Sequence, residues 1–173
     1  MNVFPTRILL ASDGSESAAH ATEVAVELSN VTHSELHVLY VGEYPIGESS
    51  TASLYPQAAD TAWVVQEGLA PIEELGQQFE QVARRTLDAE VQQVREVGGT
   101  VEQTHLRIGT PAAEIVELAE DLEVGLVVVG NRGWGGIRRA LMGSVSDSVV
   151  RHAHCPVLVV RKEEEPAQAT SGT

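Results

Sequence analysis

The chain has 173 residues, 43 per cent of them hydrophobic and only 4 per cent aromatic, which suits one globular domain with an aliphatic core and is too short to expect two. Its formal charge of −14 opposes attraction to nucleic acid or anionic lipid, since both are polyanions. No apolar run nears the roughly eighteen residues of a membrane-spanning helix, and MNVFPTRILLASDGS lacks the charged start and long apolar stretch of a signal peptide, so a soluble, cytoplasmic protein is expected.

TRILLAS (6–12) is a short apolar run ended by the turn signal SDGS, and SESAAHATEVAVELSN (15–30) carries apolar residues at helical spacing, so a strand followed by a helix is predicted. ELHVLYV (35–41) is a second strand, rich in residues that favour a buried sheet. Residues 42–66 begin with Ser, Gly, Pro and Tyr and suggest a long loop, of the kind used as a lid or binding segment. From about Trp63 through Val97 apolar residues recur every three or four positions up to Gly98 and Gly99, which predicts one long helix with a break near Pro71.

TVEQTHLRI (100–108) alternates like a strand. GTPAAEIVELAED (109–121) starts a helix with Thr110 as its N-cap and Pro111 in its first turn. VGLVVVG (124–130) is continuously apolar, as strands covered on both faces are. SVSDSVVRHA (144–153) follows as a short helix and CPVLVVR (155–161) as a last strand. Five strands alternating with four helices predict an open, doubly wound five-stranded parallel sheet, an α/β domain over residues 1–161. The remainder, 162–173, is charged and then small and polar, and is expected to be disordered.

In such sheets ligands bind beyond the carboxyl ends of the strands, where the strand order reverses. SDGS, VGEY and GNRGWGGIRRALMGS (130–144) are the loops at that end. The last holds five glycines and three arginines, Arg132, Arg138 and Arg139, in a chain otherwise rich in carboxylates. Glycines let backbone N–H groups approach a phosphate, and a helix starting near Ser144 aims its free amides and positive dipole end at the same point. Gly143 and Ser144 are then phosphate contacts, with the Ser144 and Ser146 hydroxyls as further donors; the same stretch also reads as a plain turn with Ser144 as N-cap. Asp13 suits ribose hydroxyls or a metal accompanying phosphates, and equally the first position of an Asp-Gly turn.

Neither GxxxxGK[ST] nor a GxGxxG after the first strand is present, which argues against a P-loop ATPase and a dinucleotide dehydrogenase. His152, His154 and Cys155 lack the usual zinc-ligand spacing, and the single cysteine fits a reducing compartment. Ten arginines and one lysine, Lys162, against twenty glutamates and five aspartates give an acidic, lysine-poor composition like that of proteins from salt-loving organisms.

With these residues in view, 4–161 resembles the universal stress protein family. Gly130, Gly133, Gly143 and Ser144 match its G-x2-G-x9-G-[ST] motif, SVSDSVVRHAHCPVLVVR its ending, and DGS, HVLYV and GTPAAEI its other landmarks in order. The motif belongs to the nucleotide-binding branch, whose fold is Rossmann-like and akin to adenine-nucleotide α/β hydrolases. The resemblance therefore implies ATP, or AMP or ADP, with Mg²⁺ as a companion of the phosphates. By the same resemblance Asp13 lies at ribose or adenine, the backbone of Ala11 and Val41 at adenine, and Gly130, Arg132, Gly133, Gly143, Ser144, Val145 and Ser146 at phosphates and ribose, with Ser12 also among the cofactor-binding residues. It also implies a homodimer through PVLVV (156–160) and a regulatory or stress-response module with little or no hydrolysis.

The 42–66 segment and Trp134 depart from the family pattern. Two other functions compete: an ATP pyrophosphatase or nucleotidyl-transfer enzyme, whose SGGxDS loop SDGSES (12–17) resembles in part, with Asp13 replacing its second position, and an interaction module that uses no nucleotide.

Overall fold

Ile8, Leu9 and Leu10 follow one another in Arg7–Ser12 (β1), and none exposes any surface. Three consecutive buried side chains require cover on both faces of a strand, since neighbours point opposite ways. The computed structural model, which describes residues 5–43, 72–131 and 142–161, supplies that cover. After β1 come α1 (Glu16–Thr32), β2 (Glu35–Gly42), α2 (Ile72–Glu96), β3 (Gln103–Ile108), α3 (Pro111–Asp121), β4 (Leu126–Gly130), α4 (Ser144–His152) and β5 (Val157–Val160). The sheet is wholly parallel with order β3-β2-β1-β4-β5, so β1 lies at its centre.

Ile8, Leu10, Leu36, Val38 and Val128 face Ala21, Ala25 and Val26 of α1 and Leu87, Val91 and Val94 of α2. On the other face Leu9, Leu39, Val127 and Val129 meet Ile115, Leu118 and Ala119 of α3 and Val149 of α4. The alanines of α1 let its backbone come close to the sheet. The chain leaves β1 toward β2 and β3, then returns past β1 to β4 and β5. That reversal opens a crevice between the carboxyl ends of β1 and β4.

Local signals account for most element ends. Ser15 caps α1, its hydroxyl accepting Ala18 N–H at 3.2 Å. Gly98 adopts φ 83°, a conformation that favours glycine, and Gly99 N–H closes onto Val94 O at 2.8 Å, which ends α2. Thr110 does occupy the N-cap of α3, but its side chain makes no capping bond; Pro111 begins the helix instead. Strands predicted from 100, 124 and 155 begin at Gln103, Leu126 and Val157, because the preceding residues are still turning into the sheet. The start of the long helix, its break near Pro71, the 44–66 part of the predicted loop and the tail from Lys162 lie outside the described residues. Among the described residues no helix is long and apolar enough to cross a membrane.

One polar pair sits on the α3 and α4 face. His37 Nδ1 and His105 Nε2 lie 3.1 Å apart with the rings stacked at 5.4 Å between centroids. The nearby charges are Glu35, Glu102, Arg7 and Arg107. Burial holds both imidazoles below the ordinary histidine value of 6.5; Glu35 opposes this at His37, while His37 and Arg107 reinforce it at His105.

The folded state thus binds fewer protons than the unfolded one just below pH 6.5. The stability this pair contributes is therefore complete above that value and falls as the solution is acidified through it. Denaturant midpoints should drop between about pH 7.5 and about pH 5.5, and the double substitution His37→Leu, His105→Leu should flatten that drop. An unchanged slope in the double variant would assign the effect elsewhere.

Candidate functional site

Four segments meet at the carboxyl end of the sheet. The β1–α1 turn is built by its own side chains. Asp13 Oδ1 accepts Ser15 N–H at 3.0 Å, Gly14 lies at φ 77°, and Ser12 Oγ accepts Gly14 N–H at 3.4 Å. The Asp-Gly turn expected here is thus formed with the Asp13 carboxylate taking part in it.

Gly130, the last residue of β4, abuts the first turn of α1. A methyl group added to it would lie 2.9 Å from the carbonyl carbon and oxygen of Ser17 and 3.1 Å from Ala18 N. Only a residue without a side chain lets β4 end this close to the turn that carries Asp13. Asn131 N–H donates to Val160 O at 2.7 Å and Asn131 O accepts Gly143 N–H at 2.8 Å. The two ends of the glycine-rich stretch are therefore joined by one hydrogen bond, and the Asn131 end is tied to β5.

Gly143 is the N-cap of α4, with φ −61° and ψ 151°, and Ser144 is its first helical residue. The first N–H to find its carbonyl four residues back is that of Asp147, bonded to Gly143 O at 2.9 Å. The amides of Ser144, Val145 and Ser146 precede it and need partners from outside the helix. Ser146, buried, donates its hydroxyl to Gly130 O at 2.7 Å, which clamps the helix start to the end of β4. Asp147 in the same first turn is held by Arg151 at 2.8 and 3.2 Å, and those hydrogen bonds lower its carboxyl below the usual range.

Ala11, Val41 and Val145, each half-buried, all pack against the α3 and α4 core cluster. They give this end of the sheet an apolar rim at the ends of β1 and β2 and the start of α4. The structure thus brings together Ala11, Ser12, Asp13, Val41, Gly130, Gly143, Ser144, Val145 and Ser146; Arg132 and Gly133 lie outside the described residues, as do Trp134, Arg138 and Arg139. Among the described residues no cluster of three or more His, Cys, Asp or Glu is suited to a metal. A shallow polar groove of about 280 Å³ opens at the opposite, amino end of the sheet, among Asn30, His33, Glu35 and Thr100. Among its described lining residues no glycine and no helix start is found, unlike the carboxyl end.

Sequence reasoning did not single out Glu90. It is 4% exposed, and its Oε2 accepts the Ser12 hydroxyl at 2.6 Å. Burial pushes its carboxyl up, Ser12 draws it down, and the Asp13 charge pushes it up again. Its position was visible in the pattern: Leu87, Glu90, Val91 and Val94 fall at i, i+3, i+4 and i+7, on the stripe that a helix buries.

The resemblance drawn from the motifs holds across the α/β domain. The model of the universal stress protein family matches residues 5–161. Universal stress protein MJ0531 of Methanocaldococcus jannaschii is 32% identical over 159 residues, covering 92% of this chain and 84% of its own. Universal stress protein UspA from Lactobacillus plantarum superposes with a TM-score of 0.68 at 25% identity, over 90% of this chain and 97% of that one. The same fold recurs in the universal stress protein from Archaeoglobus fulgidus in complex with dAMP, with a TM-score of 0.57 at 23% identity over 92% and 99% of the two chains. It recurs again in a family protein from Arabidopsis thaliana with AMP bound, with a TM-score of 0.56 at 21% identity over 94% and 97%. Motif, strand order and extent of match agree: the chain belongs to the universal stress protein family.

Proposed function

We propose that this protein binds an adenine nucleotide in the crevice between β1 and β4 and acts as a regulatory or stress-response module, with ATP hydrolysis slow or absent. The observation that carries the reading is the meeting of Gly130, the leading amides of α4, which precede its first in-helix bond, and the Asp13 turn at one end of the sheet beside an apolar rim. Family relatives with dAMP or AMP bound support the ligand class.

In this reading the planar base lies on the rim of Ala11, Val41 and Val145, and the backbone of Ala11 and Val41 supplies polar contacts to it. Asp13, whose Oδ1 takes Ser15 N–H, is the carboxylate acceptor for a ribose hydroxyl or the adenine amine. The N–H groups of Ser144, Val145 and Ser146 hold phosphate with the dipole of α4 behind them. Gly143 contributes its conformation rather than its N–H, which Asn131 O takes, and Ser146 its amide rather than its hydroxyl, which Gly130 O takes. Arg132 and Gly133 complete the phosphate side, Mg²⁺ accompanies a triphosphate, and ATP is the ligand that the Gly130, Gly133, Gly143, Ser144 motif favours. The free edge of β5, paired only with β4 among the described residues, is the proposed homodimer seam.

Thermal unfolding tests the reading. Ligand at a hundred times its Kd adds about 2.7 kcal/mol. For a domain of this size that raises Tm by roughly 5–10 °C. AMP, and ATP with Mg²⁺, should each do so, while a nucleoside without phosphate does less. No shift with either nucleotide at millimolar concentration would overturn the proposal.

A further inference from the structure

The turn that carries Asp13 is held from behind by a residue that lies outside the proposed ligand contacts. Glu90 sits on the buried stripe of α2, 78 residues away in sequence, and its Oε2 receives the Ser12 hydroxyl at 2.6 Å. Both residues are nearly inaccessible, Glu90 at 4% and Ser12 at 6%. The same Ser12 oxygen accepts Gly14 N–H, and Asp13, between them, accepts Ser15 N–H, whose own hydroxyl caps α1. Four hydrogen bonds, linked through the backbone of residues 12–15, thus join the middle of α2 to the turn and the first turn of α1.

Glu90 is an odd choice on grounds of stability. Burial of a carboxyl is unfavourable, and here the bonded partner is a neutral hydroxyl while the nearest acidic neighbour, Asp13, adds repulsion. An apolar side chain would suit the stripe of Leu87, Val91 and Val94 better. What Glu90 does that leucine would not is dictate the direction of the Ser12 hydroxyl. With its hydrogen committed to Glu90, the Ser12 oxygen faces Gly14 N–H as acceptor, which sets the left-handed glycine and the Asp13 backbone beside it.

We propose that Glu90 is a positioning residue of the nucleotide site, fixing through Ser12 the turn that presents Asp13 to the ligand. The inference rests on the nucleotide reading given above.

Calorimetric titration of the full chain with AMP tests it, beside ligand-free melting of each variant. Glu90→Ala and Ser12→Ala should each weaken AMP binding about tenfold, the scale of one lost hydrogen-bonded contact. Because the two act through one bond, the double variant should bind no more than about twofold worse than the weaker single variant. Glu90→Gln, whose amide oxygen still accepts from Ser12, should stay within about threefold of wild type. A merely structural role would lower the melting temperature without this pattern of coupling and rescue in affinity.

If Glu90→Ala does not fold, the contrast between Ser12→Ala and Glu90→Gln decides. AMP affinity unchanged in Ser12→Ala or Glu90→Ala, losses multiplying to about a hundredfold in the double variant, or a Gln variant as weak as Ala each overturns the inference while leaving nucleotide binding intact. A folded wild type that binds no AMP overturns the nucleotide reading itself, and the positioning role with it.

Discussion

Gly130→Ala should destabilise the protein by about 1–3 kcal/mol and remove nucleotide binding at concentrations that saturate the wild type. The added methyl would stand 2.9 Å from backbone atoms of Ser17, closer than carbon contacts allow, and backbone cannot rotate away as a side chain can. Either β4 must withdraw from α1 or the first turn of α1 must move. Each movement widens the gap between the Asp13 turn and the α4 amides, and it pulls on the Ser146 hydroxyl bond to Gly130 O. Urea unfolding measures the first effect and titration with AMP the second. Wild-type affinity in a destabilised Gly130→Ala protein would show that the crevice is not where the ligand sits.

Leu9→Ala should cost more stability and no affinity. Leu9 is wholly buried at the centre of the sheet, in the cluster with Leu39, Ile115, Leu118, Val127 and Val149. Truncation there loses apolar transfer energy and leaves a cavity that rigid strands on both sides cannot close, a loss of about 2–5 kcal/mol. Leu9 is not itself a proposed ligand contact, and Leu10 stands between it and Ala11, so the folded fraction, titrated at low temperature, should bind AMP within about threefold of wild type. Val31→Ala makes the control, because Val31 is 72% exposed, and it should change stability by less than about 0.5 kcal/mol. A Leu9→Ala loss no larger than that of Val31→Ala would contradict the packing described. Together the Gly130 and Leu9 variants separate a residue that shapes the crevice from one that only supports it.

Much of the fold is legible in short windows. The runs RILL and LVVVG announce central strands because both faces are covered, and SDGSES announces a turn into a capped helix because the Asp and Ser side chains accept nearby amides and Gly takes the left-handed position. The Gly130, Gly143 and Ser144 spacing likewise points to a strand end and a helix start at one place. Thr110 shows the limit of such signals: its residue type suits a cap and its position is right, yet the hydroxyl makes no capping bond.

Among the described residues, periodicity and local backbone chemistry already set the five strands, the four helices and their parallel arrangement. Tertiary structure alone decided the order β3-β2-β1-β4-β5, which puts the Asp13 turn beside Gly130. It also decided that Ser12 and Glu90 meet across 78 residues, that His37 and His105 share a bond across 68, and that Ser146 turns its hydroxyl to the end of β4. These contacts depend on which faces meet after the chain has crossed the sheet several times. A window of neighbouring residues contains one partner of each pair and carries no trace of the other.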